Sequence, residues 1–296
     1  MARTFNNLYL DIRQRLLSGG IAMASLEARE IMRHITGKDR MAIVRDYHLY
    51  VPPDEEAGAM ELLRRRLEGE PIAYIVGEWE FFGLTMEVNA DVLIPRTDTE
   101  VLADRAIALA RKIDGARVLD LCAGSGCVGL AVAAYVPDCQ VVMADTSEAA
   151  LAVARENVRR YDLSARITVA RADVLSPPPA LGVFDVIVCN PPYIETGQLR
   201  SLDKDVGRYE PRLALDGGPD GLRFFRAVAM GWRSLLKPDG HLLFECGMGQ
   251  ADAVCEILQK AAFGRLAVIP DTQGIGRVIV GAPVWNEAIR DVVVDV

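Results

Sequence analysis

Two short segments carry residue types that can do chemistry. The apolar run Asp185-Val186-Ile187-Val188-Cys189 leads directly into Asn190-Pro191-Pro192-Tyr193. Proline lacks an N–H and restricts the residue before it, so this turn is stiff and its carbonyl groups are held in place. The Asn190 side-chain oxygen and the Pro191 carbonyl can together accept both protons of one NH₂ group. Tyr193, beyond Pro192, can lie against the flat group that carries the nitrogen. An amide or aromatic amine nitrogen has a delocalised lone pair and is a poor nucleophile. It becomes cationic and acidic as it takes a methyl group. Fixed acceptors aimed at its protons stabilise that developing charge and align the nitrogen for in-line attack. No strong general base is required, and no histidine lies nearby in sequence.

The second segment is a glycine loop. Val118-Leu119-Asp120-Leu121 runs into Cys122-Ala123-Gly124-Ser125-Gly126 and then into a helical pattern. Glycines at such a loop let the backbone approach a ligand, and the helix start can face an anionic group such as a carboxylate. No Gly-Lys-Ser/Thr follows, so the loop is not a phosphate-cradling P-loop, and it lacks the third glycine of the dinucleotide fingerprint. Asp145 ends the next strand-like run, where a carboxylate can accept both hydroxyls of a ribose. Asp173 follows the third, where it can accept an adenine amino proton. Three acids (Asp120, Asp145 and Asp173) at successive strand ends imply an adenosine-bearing ligand without a phosphate clamp. S-adenosylmethionine fits that description.

The elements that must position these residues alternate. Strand-like runs lie at 117–121, 140–144, 167–170, 184–189, 241–245, 266–269 and 277–280, with helical runs at 128–135, 148–161, 221–236 and 250–262. This alternation predicts a doubly wound, mostly parallel α/β sheet of seven strands. The short 271–276 connection can join only antiparallel neighbours, so one strand runs against the rest. Residues 1–70 read as a small helical domain. Leu8, Ile12, Leu16 and Leu17 keep helical spacing, a second run starts at Ser25, and a third helix spans about 53–67. Residues 71–95 alternate and carry turn residues, which predicts a β-hairpin linker before the main domain at 96–296. Thr97 and Glu100 form a capping-box pattern ahead of Val101 and Leu102.

Composition bounds the function. The 296 residues are 51% hydrophobic and 25% charged, with a net charge of −8. That balance disfavours a protein whose affinity comes mainly from phosphate contacts. Residues 1–70 hold 11 basic and 11 acidic residues, so the whole excess of acid lies downstream. Met1–Arg3 opens no signal peptide and no apolar run has the length of a membrane span, so the expected location is the cytoplasm. Six cysteines without a C-x-x-C pair and three histidines predict reduced thiols and no metal site.

Further segments carry a resemblance. Pro71-Ile72-Ala73-Tyr74-Ile75-Val76-Gly77, Leu93-Ile94-Pro95-Arg96-Thr97-Asp98-Thr99-Glu100, Tyr209-Glu210-Pro211-Arg212-Leu213-Ala214-Leu215 and Glu245-Cys246-Gly247 resemble the release-factor glutamine methyltransferase family. The glycine loop, the strand-end acids and Asn190–Tyr193 fit the same pattern. The resemblance covers residues 70–280 and implies a class I methyltransferase fold. It implies methyl transfer from S-adenosylmethionine to the side-chain amide of the glutamine in the Gly-Gly-Gln tripeptide of class I peptide release factors. It implies Asn190, Pro191, Pro192 and Tyr193 as the catalytic turn, and Asp120, Cys122, Ala123, Gly124, Ser125, Gly126, Asp145, Asp173, Val174 and Asn190 as cofactor-binding residues. The expected enzyme is a monomer whose partner is the release factor, with no direct nucleic-acid contact and no membrane. Cys122-Ala123 stands where the family usually has Gly-Thr, Thr97-Asp98 replaces Pro-Glu, and Val174 stands where an aromatic residue is common.

Two rivals are compatible with parts of this pattern. The Asn-Pro-Pro-Tyr turn serves adenine N6 or guanine N2 equally well, with Tyr193 stacked on the base. The Arg64-Arg65-Arg66 run supports that reading, although such a run on a helix is usually a solvated face. The other rival is a cofactor-binding protein without turnover. The intact Asn190 and Pro191 argue against it, because a mere binder has no need of two acceptors at the methyl end.

Overall fold

The periodicity of the first seventy residues is built as helices with one apolar stripe each. The computed structural model describes residues 3–284. Helix α1 (Phe5–Ser18) is capped by Thr4, whose hydroxyl accepts from Asn7 N, and it buries Phe5, Leu8, Ile12 and Leu16. Helix α2 (Ala24–Thr36) buries Ala28, Ile31 and Met32. Ser25, expected to start it, instead accepts a bond from Arg13 Nε at 3.0 Å. A six-residue α3 (Arg40–Arg45), capped by Asp39, is too short to show a period and was not expected. Helix α4 (Pro53–Leu67) has Pro53 in its first turn, acids following it and Arg64–Arg66 in its last turn, which complements the helix dipole.

Residues 72–76 depart from the sequence reading. They form a short helix, α5 (Ile72–Val76), closed by Gly77 in the left-handed conformation. Ile72, Ala73, Ile75 and Val76 are all buried, so this stretch buries nearly every side chain and does not alternate. The hairpin is confined to β1 (Glu78–Phe81) and β2 (Leu84–Glu87). Phe82 and Gly83 between them both have positive φ, as a tight two-residue turn requires.

The rest of the chain alternates as expected: α6 (Thr99–Ala110), β3 (Arg117–Leu121), α7 (Cys127–Tyr135), β4 (Gln140–Asp145), α8 (Glu148–Arg160), β5 (Ile167–Arg171) and β6 (Phe184–Cys189). Then come α9 (Lys204–Tyr209), α10 (Arg223–Ala227), β7 (Leu236–Glu245), α11 (Ala251–Lys260), β8 (Phe263–Pro270) and β9 (Gly276–Pro283). The helix read at 221–236 is interrupted: a π-helical turn (Val228–Trp232) follows α10. Among the described residues the large sheet has seven strands in the order β5-β4-β3-β6-β7-β9-β8. Its pairings are parallel except at β9, which is antiparallel to both β7 and β8. The last residues of the expected 96–296 domain, 285–296, lie outside the described residues.

The capping box at Thr97 does not form. Asp98 already has helical φ and ψ, and it makes no side-chain cap. Glu100 accepts from Phe82 N at 2.8 Å instead, which ties the hairpin turn to α6.

By contacts the described chain falls into two compact units, one of residues 3–78 with 203–209, the other of 79–202 with 210–284. The first unit neutralises its own basic run. Arg64 pairs with Glu61 and Glu68, Arg65 with Glu70, and Arg66 with Glu27 at 2.6 Å. The Arg66 and Glu27 side chains are only 12% and 9% exposed, so Arg66 is not the solvated residue expected from the sequence. Removing one partner of such a pair leaves a buried charge. Glu27→Ala should therefore destabilise the protein by about 3 kcal/mol, while Glu27→Met with Arg66→Met should recover most of that loss. Urea unfolding of both variants checks it; a harmless Glu27→Ala would show that the pair is not buried in solution.

Candidate active site

A doubly wound sheet opens a crevice where the strand order reverses, at the carboxyl ends of its strands. Here the reversal lies between β3, which leads on to β4 and β5, and β6 on its other side. Leu121 is in register with Ala144 on one side and Cys189 on the other. The glycine loop, Asp145 and Asn190 therefore leave the sheet at one level. They border an open cleft. Of the residues singled out from the sequence, Asp120, Cys122, Ala123, Gly124, Ser125, Asp145, Asp173, Val174, Asn190 and Pro192 line it.

Gly126, Pro191 and Tyr193 are not among the lining residues. A Cβ on Gly126 would meet Met143 Sδ at 2.8 Å and Ala154 Cβ at 3.3 Å, so this glycine serves the packing of α7 and not ligand access. Gly124 is the position where a Cβ would meet nothing within 4 Å. Within the loop, Cys122 takes φ +57°, a left-handed conformation rare for a residue with a Cβ.

The acids differ in their partners. Asp145 Oδ2 accepts from Gly124 N and Oδ1 from Ser147 N, both at 2.9 Å. Burial raises its pKa against those bonds. Asp173 Oδ1 accepts from Leu175 N at 2.9 Å. A carboxylate oxygen can accept more than one bond, so both acids keep acceptor capacity towards the cleft. Asp120 is 3% exposed, and its Oδ2 accepts from Gly129 N at 2.8 Å, which fastens the first turn of α7 to β3. Burial, reinforced by the nearby Asp145 charge, pushes its carboxyl up to about 7.

At the other end of the cleft, Asn190 Nδ2 donates to Thr99 Oγ1 at 3.3 Å. Thr99, 3% exposed, is the first residue of α6 and also lines the cleft. Tyr193 Oη lies 3.4 Å from Glu245 Oε1. Its backbone is clamped: Gln250 Nε2 donates to Tyr193 O at 3.0 Å, and a Cβ on Gly221 would come within 2.4 Å of that oxygen. Trp232 Nε1 donates to Val174 O at 3.1 Å, which fixes the backbone beside Asp173. Thr99, Gln250, Trp232 and Glu245 were not singled out as site residues. Thr99 and Glu245 do stand in the family-like segments, the one sequence signal that could have found them.

A mostly parallel seven-stranded sheet with β9 reversed, bearing a cleft at the carboxyl ends of β3, β4 and β6, defines a class I methyltransferase. Residues 99–204 match the methyltransferase small domain and residues 7–77 the PrmC N-terminal domain. The release factor glutamine methyltransferase of Geobacter sulfurreducens is 40% identical over 271 residues, 91% of this chain and 93% of that protein. The enzyme of the same name from Caulobacter vibrioides is 35% identical over 95% of this chain and 97% of its own. A methyltransferase structure from Pyrococcus furiosus shares the fold at 18% identity, with a TM-score of 0.51 over 74% of this chain and 96% of that one. The chain belongs to the release factor glutamine methyltransferase family.

Asp120 gives the site a pH signature. Its folded pKa, about 7, lies above the ordinary aspartate value. Its contribution to stability is therefore fully present below about pH 4 and is lost as pH rises through about 7. The stability of the wild type relative to Asp120→Asn should fall by about 2 kcal/mol between pH 5 and pH 8. Unfolding curves at the two pH values measure it, and a constant difference would mean that Asp120 is ionised throughout.

Proposed function

We propose that this protein transfers a methyl group from S-adenosylmethionine to the side-chain amide nitrogen (N5) of the glutamine in the Gly-Gly-Gln motif of class I peptide chain release factors. The observation that carries the reading is Asn190, at the end of a fully buried strand on the edge of the cleft, with its amide NH₂ turned to Thr99. The two ends of an amide point apart, so this orientation leaves Oδ1 for an incoming NH₂ group. Pro191 and Pro192 are buried and stiffen the turn.

The cleft suits the cofactor. A Cβ added at Gly124 would meet nothing within 4 Å, so the backbone can be approached there, and the strand-end carboxylates of Asp145 and Asp173 line the same cleft. When bound, the sulfonium supplies an electrophilic methyl carbon. Asp145 would accept the ribose hydroxyls and Asp173 the adenine amino group. Val174 would offer an apolar side to the ring from a backbone fixed by Trp232. Residues 122–125 would border the methionine part. Asn190 Oδ1 and the Pro191 carbonyl would accept the two amide protons of the glutamine, which become more acidic as the nitrogen is methylated. These acceptors gain strength with the developing charge, so they act on the rate more than on binding.

The helical unit, we infer, docks the folded release factor, because it adds no catalytic group and its basic run is already paired internally. That internal pairing also weighs against the nucleic-acid rival, whose best support was the same run.

Asn190→Ala should lower single-turnover transfer roughly 10²–10³-fold with cofactor affinity within a few-fold of wild type. In a matched panel with labelled cofactor, a class I release factor should be labelled, its Gln→Glu variant should not, and purified RNA should not. Labelling of the Gln→Glu variant, or of RNA in place of the release factor, would reject the glutamine assignment.

A further inference from the structure

Beside Asn190 lies a carboxyl group that the reaction as described leaves without a role. Glu245 is the last residue of β7 and is 1% exposed. Phe244 is in register with Cys189, so the next residue on each strand, Glu245 and Asn190, stand side by side. Glu245 Oε1 faces Tyr193 Oη at 3.4 Å. Oε2 is buried and, among the described residues, has no hydrogen-bond partner. The Thr99 hydroxyl and the Asn190 amide both stabilise the charged form of this group. A buried carboxylate at the centre of a site, only half engaged, calls for a physical reason.

We propose that Glu245 is a positioning residue that fixes which end of the Asn190 amide faces the glutamine. The inference rests on the reading of Asn190 as an acceptor for the glutamine NH₂. An asparagine amide has a donor end and an acceptor end of nearly the same shape, and a half-turn of the amide plane exchanges them. Thr99 by itself cannot select between the two, because a hydroxyl both donates and accepts; only when its proton is held by an ionised Glu245 is it left as an acceptor for Nδ2. An ionised carboxylate only accepts. Beside it, Asn190 is stable with Nδ2 inward and Oδ1 outward. A protonated carboxyl donates as well, so it tolerates the flipped amide, which aims N–H at N–H and cannot hold the substrate nitrogen.

The charge state of Glu245 therefore governs the site. Burial, the largest effect, raises its carboxyl to about 7 against the stabilising contributions of Thr99, Arg277 and Asn190, and Asp98 raises it further. Arg277, on β9, is shared with Asp98 and Asp271 at 3.1 Å each, so it offsets the Glu245 charge only in part. The other titratable groups facing Glu245 are Tyr193, Cys127 and Cys246, whose pKa values are all raised by burial, so they stay neutral near pH 7. The competent state is the ionised one. Activity rises with pH through the neutral range and levels off above it.

The test is single-turnover transfer to a class I release factor at saturating cofactor from pH 6 to 8.5. It compares wild type, Glu245→Gln and Asn190→Ala, all full length. In the wild type the rate should rise over this range by between about twofold, if the protonated acid holds both amide orientations equally, and about tenfold, if it holds only the flipped one. Glutamine is neutral and can donate or accept, so it mimics the protonated acid. Glu245→Gln should run at or below the wild-type pH 6 rate at every pH, with cofactor and release-factor binding within a few-fold of wild type. Asn190→Ala has no amide to orient, and its residual transfer should lose the rise with pH. A step caused by Asp120 would persist in both variants. If Asn190→Ala is severely impaired while Glu245→Gln keeps the wild-type rate and profile, the positioning role is wrong and the acceptor role of Asn190 stands. A pH step that survives undiminished in Asn190→Ala overturns the proposal, and it does so even where Glu245→Gln fails to fold. If Asn190→Ala is within a few-fold of wild type, the acceptor reading itself fails and takes the role of Glu245 with it.

Discussion

The register of β6 between β3 and β7 is the constraint on which the site depends. Leu121, Cys189 and Phe244 stand in line across three parallel strands. The next residue on each, Cys122, Asn190 and Glu245, therefore emerges at one height. Parallel pairing with both faces covered needs strands of almost unbroken apolar character, which Phe184–Cys189 provides with all six residues buried. A one-residue slip would turn every side chain to the opposite face and carry Asn190 away from the cleft. The chemistry is thus placed by hydrophobic burial, and the polar residues only occupy the positions that burial gives them.

The electrostatics follow from the same placement. Asp120 and Glu245 are the final or near-final residues of buried strands, and both are pushed up to about 7 by loss of solvent. Asp120 is tied to the backbone of α7, while the Glu245 carboxyl faces the side-chain hydroxyl of Tyr193. One acid therefore holds a helix, and the other stands beside the side chains of Tyr193 and Asn190. Loop closure around the Asn190–Tyr193 turn is supplied from far away in sequence. Gln250 bridges Gly247 N and Tyr193 O, and Gly217 and Gly221 leave no Cβ between their segment and the turn.

What was legible in the sequence was whatever announces itself locally. Alternating apolar runs located all seven strands, and the short 271–276 link gave the antiparallel one away. Asn190, Asp145 and Asp173, which line the cleft, stand out in the sequence because a polar residue that ends an apolar run is conspicuous. Thr99, Trp232, Gln250 and Glu245 act through neighbours 50 to 90 residues distant, and no local pattern marks such a partnership. Residues 72–76 misled because five residues cannot separate the periods of a helix and a strand when nearly all are buried. Gly126 misled in another way: its freedom from a Cβ is used on the side of Met143, towards the core, and sequence does not say which side of a loop a missing atom is needed on.

Cys122 holds a left-handed backbone at φ +57°, at the rim of the cleft, where the family usually has glycine. A Cβ in that conformation costs about 1–2 kcal/mol. Glycine would remove the cost but would add about 0.5–1 kcal/mol of chain freedom to the unfolded state. The strain exceeds the entropic gain, so the side chain is a net cost of about 1 kcal/mol, small enough for a domain of this size to carry. Drift at position 122 can vary the polarity and reactivity of the cleft's rim while the backbone that shapes the cleft stays where it is.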